Sequence, residues 1–238
     1  MSNLENSKSP FFSIIIPTLN EEKIIKNTLK VLREQIYKNF EIIIVDANST
    51  DATRKEAANY ADKILVVKKR RRQYQMNVGA GQAIGKYLIF LYADTILPSR
   101  CLKKIKDYVI DLRAICGGGK IRFTPNRPRY IVLKKFREFV CKLLTIFGTS
   151  PFLFVRRDIF VKLGGFNENI GEEGLDLCKR AKRLGKVITT DIEVEVSARR
   201  FERGDFFRNL FSWAFLVTLS YFGIHSTFLE DKIYRPIR

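Results

Sequence analysis

The sequence predicts an α/β fold, in which a mostly parallel sheet is flanked by helices and followed by a helical extension at the C-terminus. The first hundred residues alternate short, apolar, β-branched runs with segments that have the periodicity of amphipathic helices. Runs that are apolar throughout are typical of parallel strands covered on both faces. The 46% hydrophobic content of the 238 residues also suffices for a buried core. This alternation therefore favours parallel strands joined by crossover helices.

The first half of the chain is predicted to contain four strands with helices between them. The strands are residues 12–16, 41–45, 64–67 and 87–91. Asn20 is predicted to cap the first helix, with Glu21 and Glu22 facing the positive end of the helix dipole. The next helices are predicted from Asp51 to about residue 60 and over residues 72–84, before Gly85. A further helix is predicted to begin near Pro98.

The second half is less regular and mixes extended segments with helices. Extended segments are predicted over residues 116–123, 152–155 and 186–196, and helices over residues 130–147 and 172–184. A turn at residues 162–166 (KLGGF) is predicted to end another helix. We therefore expect one domain over residues 1–205 and an apolar helical extension over residues 206–238.

The extension contains an almost uncharged apolar run at residues 209–224 (NLFSWAFLVTLSYFGI). This run is shorter than the roughly 20 residues that a membrane-spanning helix needs. Basic residues flank it on both sides. Two interpretations remain open: a buried helix of the core, or an interfacial helix that lies on a membrane.

The chain is strongly basic, with 43 Lys and Arg against 25 Asp and Glu, and a formal net charge of +18. Such an excess favours anionic partners, such as lipid headgroups or phosphorylated substrates. No nucleic-acid-binding signature accompanies it, so no nucleic-acid partner is expected. Charge alone also fits a non-catalytic basic protein that binds membranes or nucleic acid, and that alternative stays open.

The first residues (MSNLENSKSP) and the cysteine pattern predict a reducing, cytoplasmic location, with peripheral attachment to the cytoplasmic face of a membrane as an extension of that prediction. The first ten residues lack the apolar segment of a signal peptide. The four cysteines are widely spaced, and His225 is the single histidine. This pattern argues against a zinc site and a secreted disulfide framework.

Polar residues follow three of the predicted strands where each one ends. Pro17 and Thr18 follow the first strand, Asp46 the second and Asp94 the fourth. Ligands of open α/β sheets bind beyond the carboxyl ends of the strands. A carboxylate there can accept hydrogen bonds from a nucleoside or hold Mg²⁺ or Mn²⁺, and such a metal can bridge a diphosphate. The absence of GxGxxG and GxxxxGK sequences argues against dehydrogenases and P-loop enzymes.

Three segments, SIIIPTLNEE (13–22), EIIIVDANSTD (41–51) and YLIFLYAD (87–94), resemble the successive signatures of family-2 glycosyltransferases, which have the GT-A fold. Residues 154–168 and 173–185 resemble later motifs of that family, so the resemblance covers about residues 12–205. It implies an inverting glycosyltransferase with a nucleoside-diphosphate-sugar donor. The donor half would span about residues 12–100 and the acceptor half about residues 101–205. The acceptor would be a lipid phosphate, a lipid-linked saccharide or a free saccharide.

The resemblance also implies roles for matching residues. The donor-binding residues would be Pro17, Thr18, Glu21, Asp46, Arg72, Ala93, Arg199 and Arg200. Among them, Asp46 would bond the base, and Arg72 would neighbour the base or the diphosphate. Asp94 would bind the divalent metal, Mg²⁺ or Mn²⁺. It would do so as the single carboxylate of its motif, because Tyr92 stands where the family usually has the first acid.

The family's acceptor motif supplies a base that takes the proton of the attacking hydroxyl. Here the motif reads EEGLD, so the candidates in order are Glu173, Glu172 and Asp176. If Asp176 matches the later acid of the family, Gly174 occupies the position of the base. A phosphate acceptor is already ionised and needs no base, so this motif bears directly on the kind of acceptor.

Overall fold

A computed structural model describes residues 9–125, 127–143, 152–170, 172–197 and 206–222. Within these residues, eight strands form one sheet in the order β3-β2-β1-β4-β7-β6-β8-β5. The strands are β1 Phe12–Thr18, β2 Phe40–Asp46, β3 Lys63–Val66, β4 Tyr87–Leu91, β5 Thr95–Ile96, β6 Cys116–Thr124, β7 Phe152–Arg156 and β8 Val187–Ser197.

Eight helices accompany the sheet in the described part of the chain. They are α1 Ile25–Arg33, α2 Thr53–Ala57, α3 Arg72–Gly81, α4 Cys101–Asp111, α5 Pro128–Leu143, α6 Arg157–Lys162, α7 Glu173–Ala181 and α8 Phe206–Tyr221. The predicted α/β class and the flanking helices are thereby confirmed.

The four strands of the first half pair in parallel, as the sequence predicts. β1 lies between β2 and β4, and β3 lies outside β2. The register places Thr18 opposite Asp46, and Asp46 opposite Val66. The carboxyl ends of these strands therefore meet at one edge, and the polar residues that follow them are brought together there.

The second half of the sheet has mixed directions. β7 runs antiparallel to both β4 and β6, whereas β8 is parallel to β6 and antiparallel to the short β5. β5 follows directly after residues 92–94 and pairs with the far end of β8. This pairing attaches the segment that carries Asp94 to β8, in the second half of the domain.

The core consists of one apolar layer on each face of the sheet. Along β1, Ile14 and Ile16 pack on the face covered by α1 and α4, and Ile15 packs on the face covered by α3, α6 and α7. Each of the three isoleucines is completely buried. Because burial of an Ile side chain stabilises the fold by about 1.5–3 kcal/mol, a run that is apolar at every position stabilises both layers.

The start of α1 and the end of α3 differ from the predicted boundaries. α1 begins at Ile25 rather than at Asn20, and no acid lies in its first turn. Asn20 instead adopts a left-handed conformation with φ of 56°, which an Asn tolerates and a helix cap does not use. α3 ends at Gly81, three residues before the predicted end at residue 84, with Gln82 as its C-cap.

The C-terminal apolar run forms α8, whose residue Leu210 packs against a small cluster of Phe123, Tyr130 and Leu133 from β6 and α5. In the part of the chain that the structure describes, no helix has the length and apolar character needed to cross a membrane. Residues 198–205 lie outside the described residues, and the domain boundary at residue 205 stays a prediction.

Candidate active site at the carboxyl edge of the sheet

The edge where β1 and β2 end is held together by Gln75, a buried residue of α3. Its Nε2 donates hydrogen bonds to the carbonyl oxygens of Thr18, at 3.0 Å, and Val45, at 2.6 Å. One side-chain amide thus bridges carbonyls at the carboxyl ends of two neighbouring strands and connects α3 to them. The sequence analysis missed Gln75. The available signal was a polar residue one turn after Arg72, on the face that also carries buried Met76.

Asp46 is completely buried, and its carboxylate is fully engaged by neighbouring groups. It accepts hydrogen bonds from the hydroxyls of Thr18, at 3.0 Å, and Ser49, at 2.5 Å. The backbone N–H of Ser49 donates to it at 2.8 Å, and Arg54 Nη1 lies 3.5 Å away. In this conformation Asp46 orders the floor of the site. Its role as the residue that bonds the base stays a prediction, and contact with a ligand would require this network to open.

The loops after β1 and β2 are joined by side-chain hydrogen bonds. Asn20 donates its backbone N–H to Ser49 Oγ and accepts one from the backbone of Thr50, each at 2.9 Å. The backbone N–H of Glu21 donates to Thr53 Oγ1 at 2.8 Å. The half-buried Pro17 and Glu21, both predicted to line the nucleoside pocket, therefore lie in a loop whose backbone is anchored to its neighbour.

An ion pair connects α3, in the first half of the chain, to α7, in the second half. Arg72 Nε and Nη2 donate to the two carboxylate oxygens of Glu173 at 2.8 and 2.9 Å. The guanidinium carbon lies 4.7 Å from the centre of the Tyr92 ring, and the Tyr92 hydroxyl donates to Glu173 Oε1 at 2.9 Å. Residues that are 101 positions apart thus form one unit, which we call the Arg72–Glu173–Tyr92 cluster. Two-pronged pairing of this kind is the strong form of an Arg–carboxylate contact.

Glu173 is the most constrained member of the cluster, because its side chain is only 6% exposed. Gln73 Nε2 also donates to Glu173 Oε2 at 3.3 Å, so both oxygens accept two hydrogen bonds each from described residues. Burial raises the pKa of the Tyr92 hydroxyl well above its usual 10.0, against the opposing effect of Arg72, and the adjoining Glu173 raises it further. Tyr92 therefore stays a proton donor to Glu173. The prediction that Glu173 is the base remains open, and in that role it would have to release part of this network.

The two other candidate bases lie in different surroundings. Asp176 pairs with Arg180, whose Nη2 is 2.7 Å from Asp176 Oδ2. Arg180 also donates to the carbonyls of Leu163 and Gly165 and thereby ties α7 to the turn after α6. Glu172 is half-buried and lies directly before α7, next to Glu173. The contacts of Arg180 connect Asp176 to the turn after α6.

The segment after β4 holds the predicted metal ligand. Ala93 is buried, and its carbonyl accepts a hydrogen bond from Thr28 Oγ1 at 2.6 Å, which anchors the segment to α1. Asp94 is half-buried. Beside it, Thr95 Oγ1 is a buried oxygen that has no hydrogen-bond partner among the described residues. The described residues contain no group of three or more His, Cys, Asp and Glu suited to a metal. A lone carboxylate still fits Mg²⁺, which keeps water ligands and takes phosphate oxygens.

Basic residues line the loop before α3. Lys68 and Arg70 are exposed, while Lys69 pairs with Glu168 and Arg71 Nη1 donates to the Glu168 carbonyl. The basic residues of this loop therefore divide into two groups: Lys69 and Arg71 anchor the turn at residues 167–170, and Lys68 and Arg70 face solvent. Arg199, Arg200 and His225 lie outside the described residues.

Comparison with known proteins gives a match to a family model described as glycosyl transferase family 2, over residues 13–164. The glycosyltransferase AglE of Haloferax volcanii is 28% identical over 199 residues, which cover 77% of this chain and 65% of that protein. The amylovoran biosynthesis glycosyltransferase AmsB of Erwinia amylovora is 36% identical over 197 residues, covering 73% and 64%. The chain thus spans just under two thirds of the length of these curated relatives.

Solved structures show the same fold. The mannosyltransferase PcManGT from Pyrobaculum calidifontis, in complex with GDP-Man and Mn²⁺, aligns with a TM-score of 0.71 and 20% identity over 95% of this chain and 68% of its own. TarS 1-349 from S. aureus, in complex with UDP-GlcNAc, aligns with a TM-score of 0.64 and 19% identity over 87% and 66%. The predicted GT-A architecture is confirmed by these alignments.

Proposed function

The chain belongs to glycosyl transferase family 2, and we propose that it transfers a sugar from a nucleoside-diphosphate sugar to an acceptor with inversion at the anomeric carbon. The observation that carries this proposal is the Arg72–Glu173–Tyr92 cluster, which lies where the strand that leads to Asp94 ends. It joins a cation suited to phosphate with the predicted metal ligand and the acceptor motif at one edge of the sheet.

The donor would bind with its diphosphate between Asp94 and the basic rim. Mg²⁺ or Mn²⁺ held by Asp94 would neutralise charge on the departing nucleoside diphosphate. Arg72 is 44% exposed, so its guanidinium can contact phosphate while Glu173 and the Tyr92 ring hold its orientation. Lys68 and Arg70 would add positive charge at the entrance. A cation held in place in advance stabilises the leaving group without reorganisation during the reaction.

The acceptor would approach from the side of α7. Glu173 contacts both Tyr92 and Arg72, and Glu172 directly precedes it, so the base for a hydroxyl acceptor would be one of them. A phosphate acceptor would attack already ionised and would leave Glu173 free to hold Arg72. Two relatives support a saccharide acceptor through their names: the amylovoran biosynthesis glycosyltransferase AmsB, and the O-antigen chain rhamnosyltransferase WbaN of Salmonella anatum. We propose that the reaction takes place in the cytoplasm at a membrane surface.

The donor proposal is tested by thermal shift with UDP-, GDP- and dTDP-sugars, with and without Mn²⁺. A donor present at 100 times its Kd adds about 2.7 kcal/mol of stability, or roughly 5–11 °C in Tm for a chain of this size. Asp94→Asn should abolish the part of the shift that depends on Mn²⁺, and Asp107→Asn, an exposed acid of α4, should not.

The outcomes separate the parts of the proposal. No shift with any donor would contradict donor binding, and a full Mn²⁺-dependent shift in Asp94→Asn would remove Asp94 from the metal role. With a donor identified, the anomeric configuration of the product, measured by NMR, decides whether the transfer inverts. Retention of configuration would refute the proposed direct displacement.

A further inference from the structure

Helices α5 and α8 carry an exposed apolar surface that the transfer reaction does not use. Among residues whose exposure the structure describes, all phenylalanines that are more than half exposed lie on these two helices or directly after α8. The apolar residues of this α5–α8 surface, with their exposed fractions, are Ile131 (47%), Val132 (65%), Phe139 (61%), Phe211 (64%), Phe215 (52%) and Phe222 (68%).

Each helix has a clear division between a buried and an exposed face. On α5, Tyr130 and Leu133 point into the core, whereas Ile131, Val132 and Phe139 span an arc of about 100° on the outer face at 3.6 residues per turn. The outer residues do not complete the core, because the inner face of α5 already packs against it through Tyr130 and Leu133. Packing of the core therefore does not require the exposed apolar face of α5.

α8 has the same organisation with aromatic residues. Leu216 and Val217 are buried, and Phe211, Phe215 and Phe222 lie within about 40° of one another on the opposite side. The spacings of four and seven residues place these three rings in one stripe along the helix. The two helices contact each other, so the two exposed apolar faces belong to neighbouring elements.

Positive charge surrounds this surface. Arg127 and Arg129 are exposed at the start of α5, and Lys135 lies between Ile131 and Phe139 on the outer face, where Glu138 is the accompanying acid. Basic residues next to exposed aromatic rings are typical of helices that lie in the interface of an anionic membrane. The net charge of +18 disfavours contact between two copies of the chain and favours their approach to an anionic surface.

We propose that the α5–α8 surface docks the protein on an anionic lipid bilayer, with the phenylalanines of α8 inserted among the headgroups and the cations of α5 paired with lipid phosphates. The inference rests on the proposed use of an acceptor at a membrane for its purpose, and its evidence is separate from that for the donor site. It assigns a partner to the C-terminal helix, which lies parallel to the membrane plane.

The test is co-sedimentation of the full chain with vesicles of phosphatidylcholine alone, or of phosphatidylcholine with about one third phosphatidylglycerol. We expect binding to the anionic vesicles only, and weaker binding at about 0.5 M salt, where the Debye length shortens to a few Å. Replacing Phe211 and Phe215 together by Ser should raise the lipid concentration for half-binding at least tenfold. The control replaces two exposed apolar residues elsewhere, Val161 and Ile110, by Ser and should bind as the unmodified protein does.

Each other result would overturn the inference. Absence of binding to anionic vesicles would contradict the inference and would favour the alternative that the chain's own residues 223–238 cover the surface. A concentration-dependent dimer that the double Phe variant abolishes, measured by sedimentation velocity without lipid, would assign the surface to a second copy. Equal losses in the control pair would indicate nonspecific adsorption. The donor-induced thermal shift of the double Phe variant is expected to be unchanged, so the failure of this inference is distinguishable from the failure of the proposed function.

Discussion

The hydrogen bond between Tyr92 and Glu173 offers a direct test of how the two halves of the site are coupled. Tyr92→Phe removes the hydroxyl that donates to Glu173 Oε1 at 2.9 Å and keeps the ring that lies under Arg72. Glu173→Gln keeps the size of the side chain and removes its charge. Together with the double variant, these changes form a cycle that isolates the interaction of the two side chains.

The expected magnitudes follow from burial and charge. A hydrogen bond to a charged group contributes about 1.5–3 kcal/mol, and Glu173 is too buried for water to replace the lost donor. Tyr92→Phe should therefore lower the free energy of unfolding by about 1.5–3 kcal/mol, or Tm by roughly 3–12 °C. Glu173→Gln should cost about 2–4 kcal/mol, below the full cost of breaking a buried pair because Arg72 is 44% exposed.

The assay is urea unfolding of the four proteins at pH 7, with Tyr108→Phe as the matched control. Tyr108 also donates to a carboxylate, Asp191 at 2.7 Å, but that pair is exposed, so its loss should cost less than about 1 kcal/mol. We expect a coupling of about 1–2 kcal/mol between Tyr92 and Glu173. Additivity within about 0.5 kcal/mol, or equal losses for Tyr92→Phe and Tyr108→Phe, would refute the reasoning.

Three further predictions concern the structure that supports the site. Gly79→Ala should cost about 1–3 kcal/mol, because its Cβ would lie 2.5 Å from Ile15 Cγ2, whereas Gly81→Ala in the same helix meets nothing within 4 Å and should be neutral or slightly stabilising; both are measured by urea unfolding. Burial raises the pKa of the Cys101 thiol from 9.0 to about 12, so the free energy of unfolding is at its full value at neutral pH and decreases as pH rises through that range. Between about pH 8.5 and 10.5, the free energy of unfolding of Cys101→Ala should therefore decrease by about 2 kcal/mol less than that of the unmodified protein. Melting temperatures of the two proteins that fall in parallel with pH would contradict this prediction. Asp46→Ala should lower the free energy of unfolding by about 2–4 kcal/mol, because buried hydroxyl and N–H groups lose their hydrogen-bond acceptor, and Asp46→Asn should lower it by less. If the nucleotide sugar no longer raised the Tm of the variant while the Tm of the free protein were unchanged, direct contact of Asp46 with the nucleotide base would be favoured instead.

The fold could be predicted from the sequence wherever a single local pattern determines the secondary structure. The runs at β1, β2 and β4 are largely apolar on both faces, with three or more consecutive apolar residues in each, and strands buried on both faces need that pattern. From these three strands and the shorter β3 the parallel half of the sheet follows, and with it the edge at which Thr18, Asp46 and Asp94 are placed. The start of α1 was predicted wrongly, because the hydrogen bonds of Asn20 to the neighbouring loop outweigh its tendency to cap a helix.

The site itself depends on contacts between distant segments. The pairing of Arg72 with Glu173 and the bridging of two strands by Gln75 have no local signature, because any exposed Arg or Gln at the start of a helix would read the same way. Likewise, the antiparallel insertion of β7 between β4 and β6 depends on which strand edges remain unpaired once the parallel strands have formed.

The sequence by itself thus determined the layers of this protein and the edge of the sheet at which its polar residues collect, because periodicity and strand-end position are properties of short segments. Only the tertiary structure decided which carboxylate each cation holds. A charged side chain pairs with whatever group the packed core brings within about 3 Å, and that distance exists only once both halves of the domain have folded together. Glu173 therefore entered as a candidate base, and the folded chain connects it to Arg72 and Tyr92.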